Sequence, residues 1–523
     1  SLTEQFGIRS LEFSPEFGFK LNGKKIFLQG NANHHDLGAL GATCYDKAIE
    51  RMMLQLKSFG YNCIRCSHNP YSDSFARIAD RVGILVVDEL TDKWSDNDYW
   101  GGRQPFTHIW HKLITEWIKR DRNRPSIILW SLGNELQIRE GWAGFEGTND
   151  WGITTYNIFN QLVKRWDHTR LTTVAMFPAR AGAITRHDKE FNDYLVPPEL
   201  ACATEVASFN YQSDKYDAYL KYRPDLILFQ SEAETSNLLQ PYYNMDKERM
   251  VGIAYWGSVE YWGESNKWPK KGWNYSFFEH TMRPYPQAYL IKTAFMPEIP
   301  EVHIGVVDAA GAESVSWNDV IVGRMALNEC WNHTPGSRRS LFTFTNAHSV
   351  ELLVNGQSMG IQKNDTTRAN LRNMIYWKDV PYGNGGSVVA IARDKSGKEV
   401  ARHRIETAGK AVALRIEAET PTDWKADGMD LQYINVTVID KKGRPVWDYN
   451  EPLTLQMEGA ARLVALDNGD HYTDELFHGI TSKRMYQGRM QIILRSDQEA
   501  GNVTVKISSA GLKGTLRLKT IKE

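Results

Sequence analysis

Ile127-Ile128-Leu129-Trp130-Ser131-Leu132-Gly133-Asn134-Glu135 is the stretch on which the fold turns. An apolar run of this length reads as a strand covered on both faces, as in a parallel sheet. It stops at a small turn, an amide and a carboxylate, and the C-terminal end of such a strand is where a β/α barrel keeps its chemistry. Leu226-Ile227-Leu228-Phe229-Gln230-Ser231-Glu232 repeats the arrangement further along. Two carboxylates at two strand ends allow acid/base work on a bond held between them.

Outward from these runs, strands and helices alternate from about residue 26 to 296. Strands are expected at 26–33, 62–67, 84–89, 127–132, 172–176, 205–211, 226–231 and 251–257. Helical patterns lie at 46–59, 71–82, 107–120, 151–167, 213–222, 236–248 and 285–295, with an ill-defined one near 186–195. In the first, Asp46 can cap, Ile49, Met52, Met53, Leu56 and Phe59 recur at helical spacing, and Gly60 stops it. Eight such units predict a closed (β/α)8 TIM barrel. An open doubly wound sheet would carry a glycine-rich phosphate turn after its first strand. Gly30-Asn31-Ala32-Asn33-His34-His35 suits no phosphate.

After Pro297-Glu298-Ile299-Pro300 the period changes to two. Ser340–Thr345, Val350–Val354 and Val388–Arg393 are separated by turn sequences such as Asn-Gly. A second set holds Val412–Ala418, Tyr433–Asp440 and Val503–Ser508. The expected organisation is multidomain: residues 1–20 the tail of a preceding β-domain, 21–297 a catalytic TIM barrel, and 298–408 and 409–523 two all-β immunoglobulin-like sandwiches.

The 523 residues carry a net charge of −1, which points to neither nucleic acid nor an acidic membrane surface as partner. No apolar run approaches the roughly 20 residues of a membrane span. Five cysteines imply no disulfide framework. Cys63-Ile64-Arg65-Cys66 lacks the second pair of a zinc site and reads as buried strand. Ser1 to Arg9 has no starting Met and runs straight into a strand-like segment, so the chain reads as beginning partway through a domain.

The polar residues at the expected strand ends are His34, His35 and Asp36; Arg65 and His68; Asp88 and Glu89; Asn134 and Glu135; Asn210 and Tyr211; Glu232; and Trp256 with Glu260. A metal-dependent hydrolase would want His-x-His on the first strand, but adjacent His34 and His35 point to opposite sides. A phosphate-binding barrel would want a glycine-rich loop after strand seven or eight, and none follows Glu232. Glycoside hydrolysis by two carboxylates needs no cofactor and suits Trp94, Trp100, Trp256, Trp262, Trp268 and Trp273 near one mouth.

Arg65-Cys66-Ser67-His68-Asn69-Pro70, Val86-Val87-Asp88-Glu89, Arg120-Asp121-Arg122-Asn123-Arg124-Pro125-Ser126 and Trp130-Ser131-Leu132-Gly133-Asn134-Glu135 resemble successive blocks of glycoside hydrolase family 2. That family holds β-galactosidases, β-glucuronidases and β-mannosidases. The resemblance runs from residue 1 to about 297, with looser similarity to accessory domains beyond, and implies that the family's N-terminal domains are missing here. It implies Glu135 as acid/base and Glu232 as nucleophile in a retaining double displacement. Asn134 would bond the sugar 2-hydroxyl. His34, Arg65 and His68 would floor the subsite; Asp88 and Asn210 are further candidates for binding substrate by their strand-end positions. Tyr211 would donate to the nucleophile, Arg65 would hold it ionised, and Trp256 would stack on the sugar.

Two departures stand out. Where metal-using β-galactosidases place a Glu and a His for Mg²⁺, this chain has Lys93 and Ser95, so no metal and no cofactor are expected. Glu234 is a second candidate nucleophile on the same side of the strand; Glu232 fits the Ser-Glu pattern better, and Glu234 is expected at the start of the next helix. Asn266-Lys267-Trp268 lacks the correctly placed Lys of a glucuronidase, which disfavours a uronic acid and leaves a β-galactoside as first choice for an exo-acting enzyme. β-Glucuronide, β-mannoside and a non-catalytic glycan-binding protein are the alternatives. Carbohydrate is the expected partner, with homo-oligomerisation open, and a periplasmic or secreted bacterial location follows from the resemblance alone.

Overall fold

Ile127–Asn134 is a strand in which every residue is buried, as its unbroken apolar run requires. In the computed structural model, which describes residues 6–94, 106–136, 152–177, 197–265, 267–308, 313–317 and 320–522, it is the fourth of eight barrel strands. These are β1 (Leu28–Asn33), β2 (Cys63–Cys66), β3 (Leu85–Glu89), β4 (Ile127–Asn134), β5 (Leu171–Met176), β6 (Val206–Asn210), β7 (Leu228–Glu234) and β8 (Gly252–Trp256). They pair in parallel, each with the next, and β8 closes on β1 from Gly252 beside Leu28 to Trp256 beside Ala32. All eight expected strands are present. A three-stranded antiparallel sheet of Leu11–Ser14, Gly18–Leu21 and Lys24–Lys25 precedes them.

The helices are α1 (Asp46–Ser58), α2 (Asp73–Val82), α3 (Phe106–Asp121), α4 (Ile153–Trp166), α5 (Glu199–Ala203), α6 (Tyr216–Tyr222), α7 (Gln240–Asn244) and α8 (Ala288–Phe295). The Ser72 hydroxyl accepts from the Phe75 amide at 3.2 Å, and left-handed Gly83 ends α2, so capping chemistry sets both of its limits. The helix expected at 236–248 shrinks to the five residues of α7. The pattern near 186–195 lies outside the described residues.

By compactness the chain divides into Ser1–His35, Met53–Ser258 and Ser316–Val322, and a second unit of Asp36–Met52, Val259–Val315 and Gly323–Glu523. The second unit contains four four-stranded antiparallel sheets. Strands Val302–Val307, Leu327–Asn328, Arg338–Thr345 and Met374–Pro381 face Ser349–Val354, Gln357–Lys363, Ser387–Arg393 and Glu399–Glu406 across a core that includes Trp331, Leu341, Leu352 and Trp377. A second pair of sheets closes over Trp424, Val436, Leu455, Ile492 and Val505. Asn355 and Gly356, both at positive φ (52° and 82°), make a two-residue hairpin that the Asn-Gly pair predicts. No helix among the described residues is long and apolar enough to cross a membrane.

Two irregularities in the barrel fall where the candidate glutamates are. The β4–β5 register slips between Ser131 and Asn134, and β7 slips against both neighbours between Gln230 and Ala233. Such bulges re-aim side chains at the rim of a sheet. Barrel closure is tighter still: a Cβ on Gly252 would lie 2.4 Å from both the Cβ and the carbonyl oxygen of Leu28. Gly252→Ala should therefore destabilise the barrel by about 1–3 kcal/mol through overpacking, read as a lower urea midpoint; an unchanged midpoint would show that the β8–β1 seam relaxes.

Candidate active site

Arg65, 0% exposed on β2, organises the C-terminal mouth of the barrel. Its Nη1 donates to Glu232 Oε1 at 2.7 Å, and its Nη2 donates to Glu89 Oε2 at 2.6 Å and Asn134 Oδ1 at 3.0 Å. Burial opposes the guanidinium charge, but Glu89 and Glu232 outweigh it and push its pKa above the ordinary value. Glu89 also meets His68 Nδ1 at 2.6 Å and accepts the Ser131 hydroxyl at 2.6 Å. Burial would raise the Glu89 pKa, yet Arg65, His68 and Ser131 together hold it below the usual carboxylate range. His68 titrates above its usual value, because Glu89 and Asp92 overcome the effect of its burial.

Glu232 is buried at the bulged end of β7. Its Oε2 accepts the Tyr211 hydroxyl at 2.7 Å, and His68 Nε2 is 3.8 Å from Oε1. Burial raises its pKa and Glu135 pushes the same way, against Arg65, His68 and Tyr211. Arg65 thus restrains the rise without cancelling it, because Glu89 claims its other nitrogen. Glu135 follows β4 with φ of 47°, its amide donating to the Ala175 carbonyl at 2.6 Å. Tyr211 also sits at positive φ, 60°. Left-handed backbone at non-glycine residues costs on the order of 1–3 kcal/mol each and persists where surrounding structure enforces it. Asn210 Nδ2 donates to Glu135 Oε1 at 3.1 Å and to Asn134 Oδ1 at 3.0 Å, and Ser231 donates to Asn210 Oδ1 at 2.7 Å. One chain of polar contacts therefore joins both glutamates, an arrangement able to serve acid/base and nucleophilic chemistry at one centre.

The structure brings His34, Arg65, His68, Asn134, Glu135, Asn210, Tyr211, Glu232 and Trp256 together. His34 Nδ1 donates to the Ser67 carbonyl at 3.1 Å, and the ring packs edge-on to Trp256. His35 turns the other way and stacks on Tyr71. Asp88 is not at the mouth: strand alternation points it outward, where it accepts the Trp117 indole at 2.6 Å. Its neighbour Glu89 takes the inward place, and Ser131 and Ser231 join the network beside the register slips of β4 and β7, which alternation along a regular strand does not signal. Trp94 is a core residue that donates to the Leu132 carbonyl at 2.7 Å. Trp256 is only 3% exposed, and His68 stacks on it at 5.2 Å. Glu234 ends β7 rather than starting a helix, and it accepts from Asn237. Trp100 and Asn266 lie outside the described residues.

Among the described residues beside Glu135, no donor set suits a divalent cation. Lys93 Nζ lies 2.6 Å from Asp92 Oδ1 and 3.0 Å from the Asn134 carbonyl, so an ammonium already occupies the oxygens that a magnesium ion would seek. Ser95 lies outside the described residues. Cys63 and Cys66 are buried free thiols, and burial pushes Cys63 up to about 12, which leaves neither suited to redox or metal chemistry.

Residues 16–249 match the family model described as glycosyl hydrolases family 2, TIM barrel domain, and residues 414–516 match glycoside hydrolase family 2 C-terminal domain 5. Between them, 336–401 match a domain of unknown function. A Formosa agariphila protein provisionally named β-glucuronidase is 44% identical over 562 residues, covering 99% of this chain and 51% of its own length. The β-galactosidase BoGH2A of Bacteroides ovatus is 27% identical, over 98% of this chain and 63% of that protein. A crystal structure of a family 2 member from Bacteroides cellulosilyticus superposes with a TM-score of 0.85 at 28% identity, covering 99% of this chain and 65% of that one. The chain thus spans between half and two thirds of the length of these relatives.

Glu89→Gln should cost about 3–5 kcal/mol at pH 7, because it breaks a buried ion pair on one side only. The sign of its pH dependence follows from the lowered pKa. The wild-type contribution is complete above the unfolded value of about 4.3 and is lost as pH falls toward and through the lower folded value. Urea unfolding across pH 3–7 should show a flatter acid slope in the variant; parallel slopes would mean that Glu89 is not ionised in the fold.

Proposed function

The chain belongs to glycoside hydrolase family 2, and we propose that it is a retaining, exo-acting β-glycosidase in which Glu232 is the nucleophile and Glu135 the acid/base. The observation that carries this reading is the Glu232 carboxylate itself. One oxygen is fixed on Arg65 and the other on Tyr211, and it is linked through Asn134 and Asn210 to Glu135. Glu232 attacks the anomeric carbon while Glu135 gives its proton to the departing glycosidic oxygen. The ester so formed is cleaved by water, which loses its proton to Glu135 and restores Glu232 as a carboxylate. Arg65 and the Tyr211 hydroxyl stabilise the ionised nucleophile, and Asn134, held by Arg65 and Asn210, is positioned for the 2-hydroxyl.

The substrate reading is a β-galactoside, the activity in the name of the Bacteroides ovatus relative. A β-glucuronide is the second reading, favoured by the name of the 44% identical Formosa relative. Aryl β-galactoside, β-glucuronide, β-mannoside and β-glucoside distinguish these. Wild type should cleave one with the first-formed sugar in the β configuration by NMR. Glu135→Gln should lower kcat/KM about 10²–10⁴-fold on leaving groups that need a proton, and much less on activated aryl groups. Glu232→Gln should abolish turnover on every leaving group. Hydrolysis that survives both substitutions, or α product, would sink the assignment; glycan binding without turnover would favour a lectin-like role.

The pH profile gives a second check. Because burial raises Glu232, the acid limb of kcat/KM should lie above the ordinary glutamate value of about 4.3. Tyr211→Phe removes a donor to the charged form, so the limb should move up by about one to two pH units. A limb unmoved by that substitution would assign it to another group.

A further inference from the structure

Three side chains in the second unit meet without any part in this chemistry. Glu260 follows β8, His280 lies further along the same segment, and His471 sits in the loop after the strand Ala461–Asp467. All three are buried, at 2%, 4% and 4% exposure. Glu260 Oε2 lies 3.2 Å from His280 Nδ1 and 3.2 Å from His471 Nε2, and the three atoms are within 4.8 Å of one another. We propose that Glu260, His280 and His471 form a structural site for a divalent transition-metal ion of the zinc type.

The two separations from Glu260 Oε2, 3.2 Å each, are those of a coordination sphere. Nitrogen and oxygen ligands at about 2.0–2.1 Å from a tetrahedral ion stand roughly 3.3 Å apart. Two imidazoles and one carboxylate suit zinc, cobalt, nickel or copper better than magnesium or calcium. The surrounding contacts are those that hold metal ligands in place. His280 Nε2 is 2.9 Å from Asp467 Oδ1, a partner that would keep the ring proton on that side and leave the Nδ1 lone pair for a bound ion. Tyr285 donates to Glu260 Oε1 at 2.7 Å and turns Oε2 toward the histidines. Trp262 stacks on His471 at 4.7 Å and fixes that ring.

His471 separates this reading from a plain ionic clamp. A charged His280 between Glu260 and Asp467 would explain those three residues without His471. Yet both ring nitrogens of His471 are buried without a hydrogen-bond partner, and Nε2 stands beside Glu260 Oε2 out of line for a hydrogen bond. A lone pair aimed at an ion held between the two atoms accounts for that geometry. Charge agrees as well: a doubly positive ion balances the two carboxylates of Glu260 and Asp467 while both imidazoles stay neutral. The ion would tie the loop of Asp467 and His471 to the segment that carries Glu260 and His280.

The test is metal titration of the purified protein after exhaustive dialysis against a strong chelator. One equivalent of Zn²⁺ should bind tightly by equilibrium dialysis with elemental analysis, and one equivalent should raise Tm. Co²⁺ in its place should show the d–d bands of a four-coordinate centre. His471→Gln and Glu260→Gln should each weaken Zn²⁺ binding about a hundredfold or more, and Asp467→Asn about 10–100-fold. If the ligand variants fail to fold, the Co²⁺ spectrum of the wild type and the Asp467→Asn affinity still decide. Absence of stoichiometric Zn²⁺ in the wild type overturns the proposal in favour of the ionic clamp. Undiminished affinity in the folded variants overturns it by placing the ion elsewhere.

Discussion

One buried guanidinium has to satisfy two carboxylates, and the mouth of the barrel is arranged around that demand. Arg65 is fully enclosed, so its charge is tolerable only while Glu89 and Glu232 both face it. Glu89 takes the larger share of the benefit, because His68 and Ser131 support it as well. Glu232 receives the remainder and keeps a raised pKa. The carboxylate proposed for chemistry is thus the less satisfied of the two, whereas the one that anchors the arginine is saturated with donors. A nucleophile needs that asymmetry: enough stabilisation to ionise, and enough exposure of its lone pairs to attack.

Aim is the second constraint. Along a regular strand only alternate residues face the barrel axis. β4 and β7 break that rule at their C-terminal ends, where register slips bring Ser131 and Asn134, and Ser231 and Glu232, into the same polar network. β3 meets β4 in register from Val87 to Glu89, and alternation there separates Glu89, inward on Arg65, from Asp88, outward on Trp117. The left-handed backbone at Glu135 and Tyr211 completes the aiming. In each case local backbone preference yields to the packing of neighbouring strands.

The aromatic residues divide by what they touch rather than by where they stand in the sequence. Trp94 and Trp130 are consumed by the first unit's core, and Trp331, Trp377 and Trp424 by the two sandwich cores. Trp256 stays at the mouth, but His68 covers one of its faces, so only the rest of the ring is available to a sugar. Near the barrel's sequence end, Trp262 serves a histidine of the same unit.

Much of this was legible in the chain. Hydrophobic run length and helical spacing located all eight strands and the longer helices, because a parallel barrel strand must be apolar on both faces. Period-two runs and the Asn355-Gly356 pair marked the sandwiches, since positive φ at two successive turn residues selects such pairs. Strand-end position also nominated Arg65, His68, Asn134, Glu135, Asn210, Tyr211 and Glu232, because every parallel strand of a barrel delivers its C-terminal end to the same mouth. Glu89 over Asp88, the end of β7 at Glu234, and Lys93 against the Asn134 carbonyl were decided by register, bulges and long-range packing. So was the meeting of Glu260 and His280 with His471, some two hundred residues apart in the chain. Local sequence sets what a segment can become and which end of it is polar; which of two adjacent carboxylates faces an arginine depends on neighbours that only the closed structure brings into place.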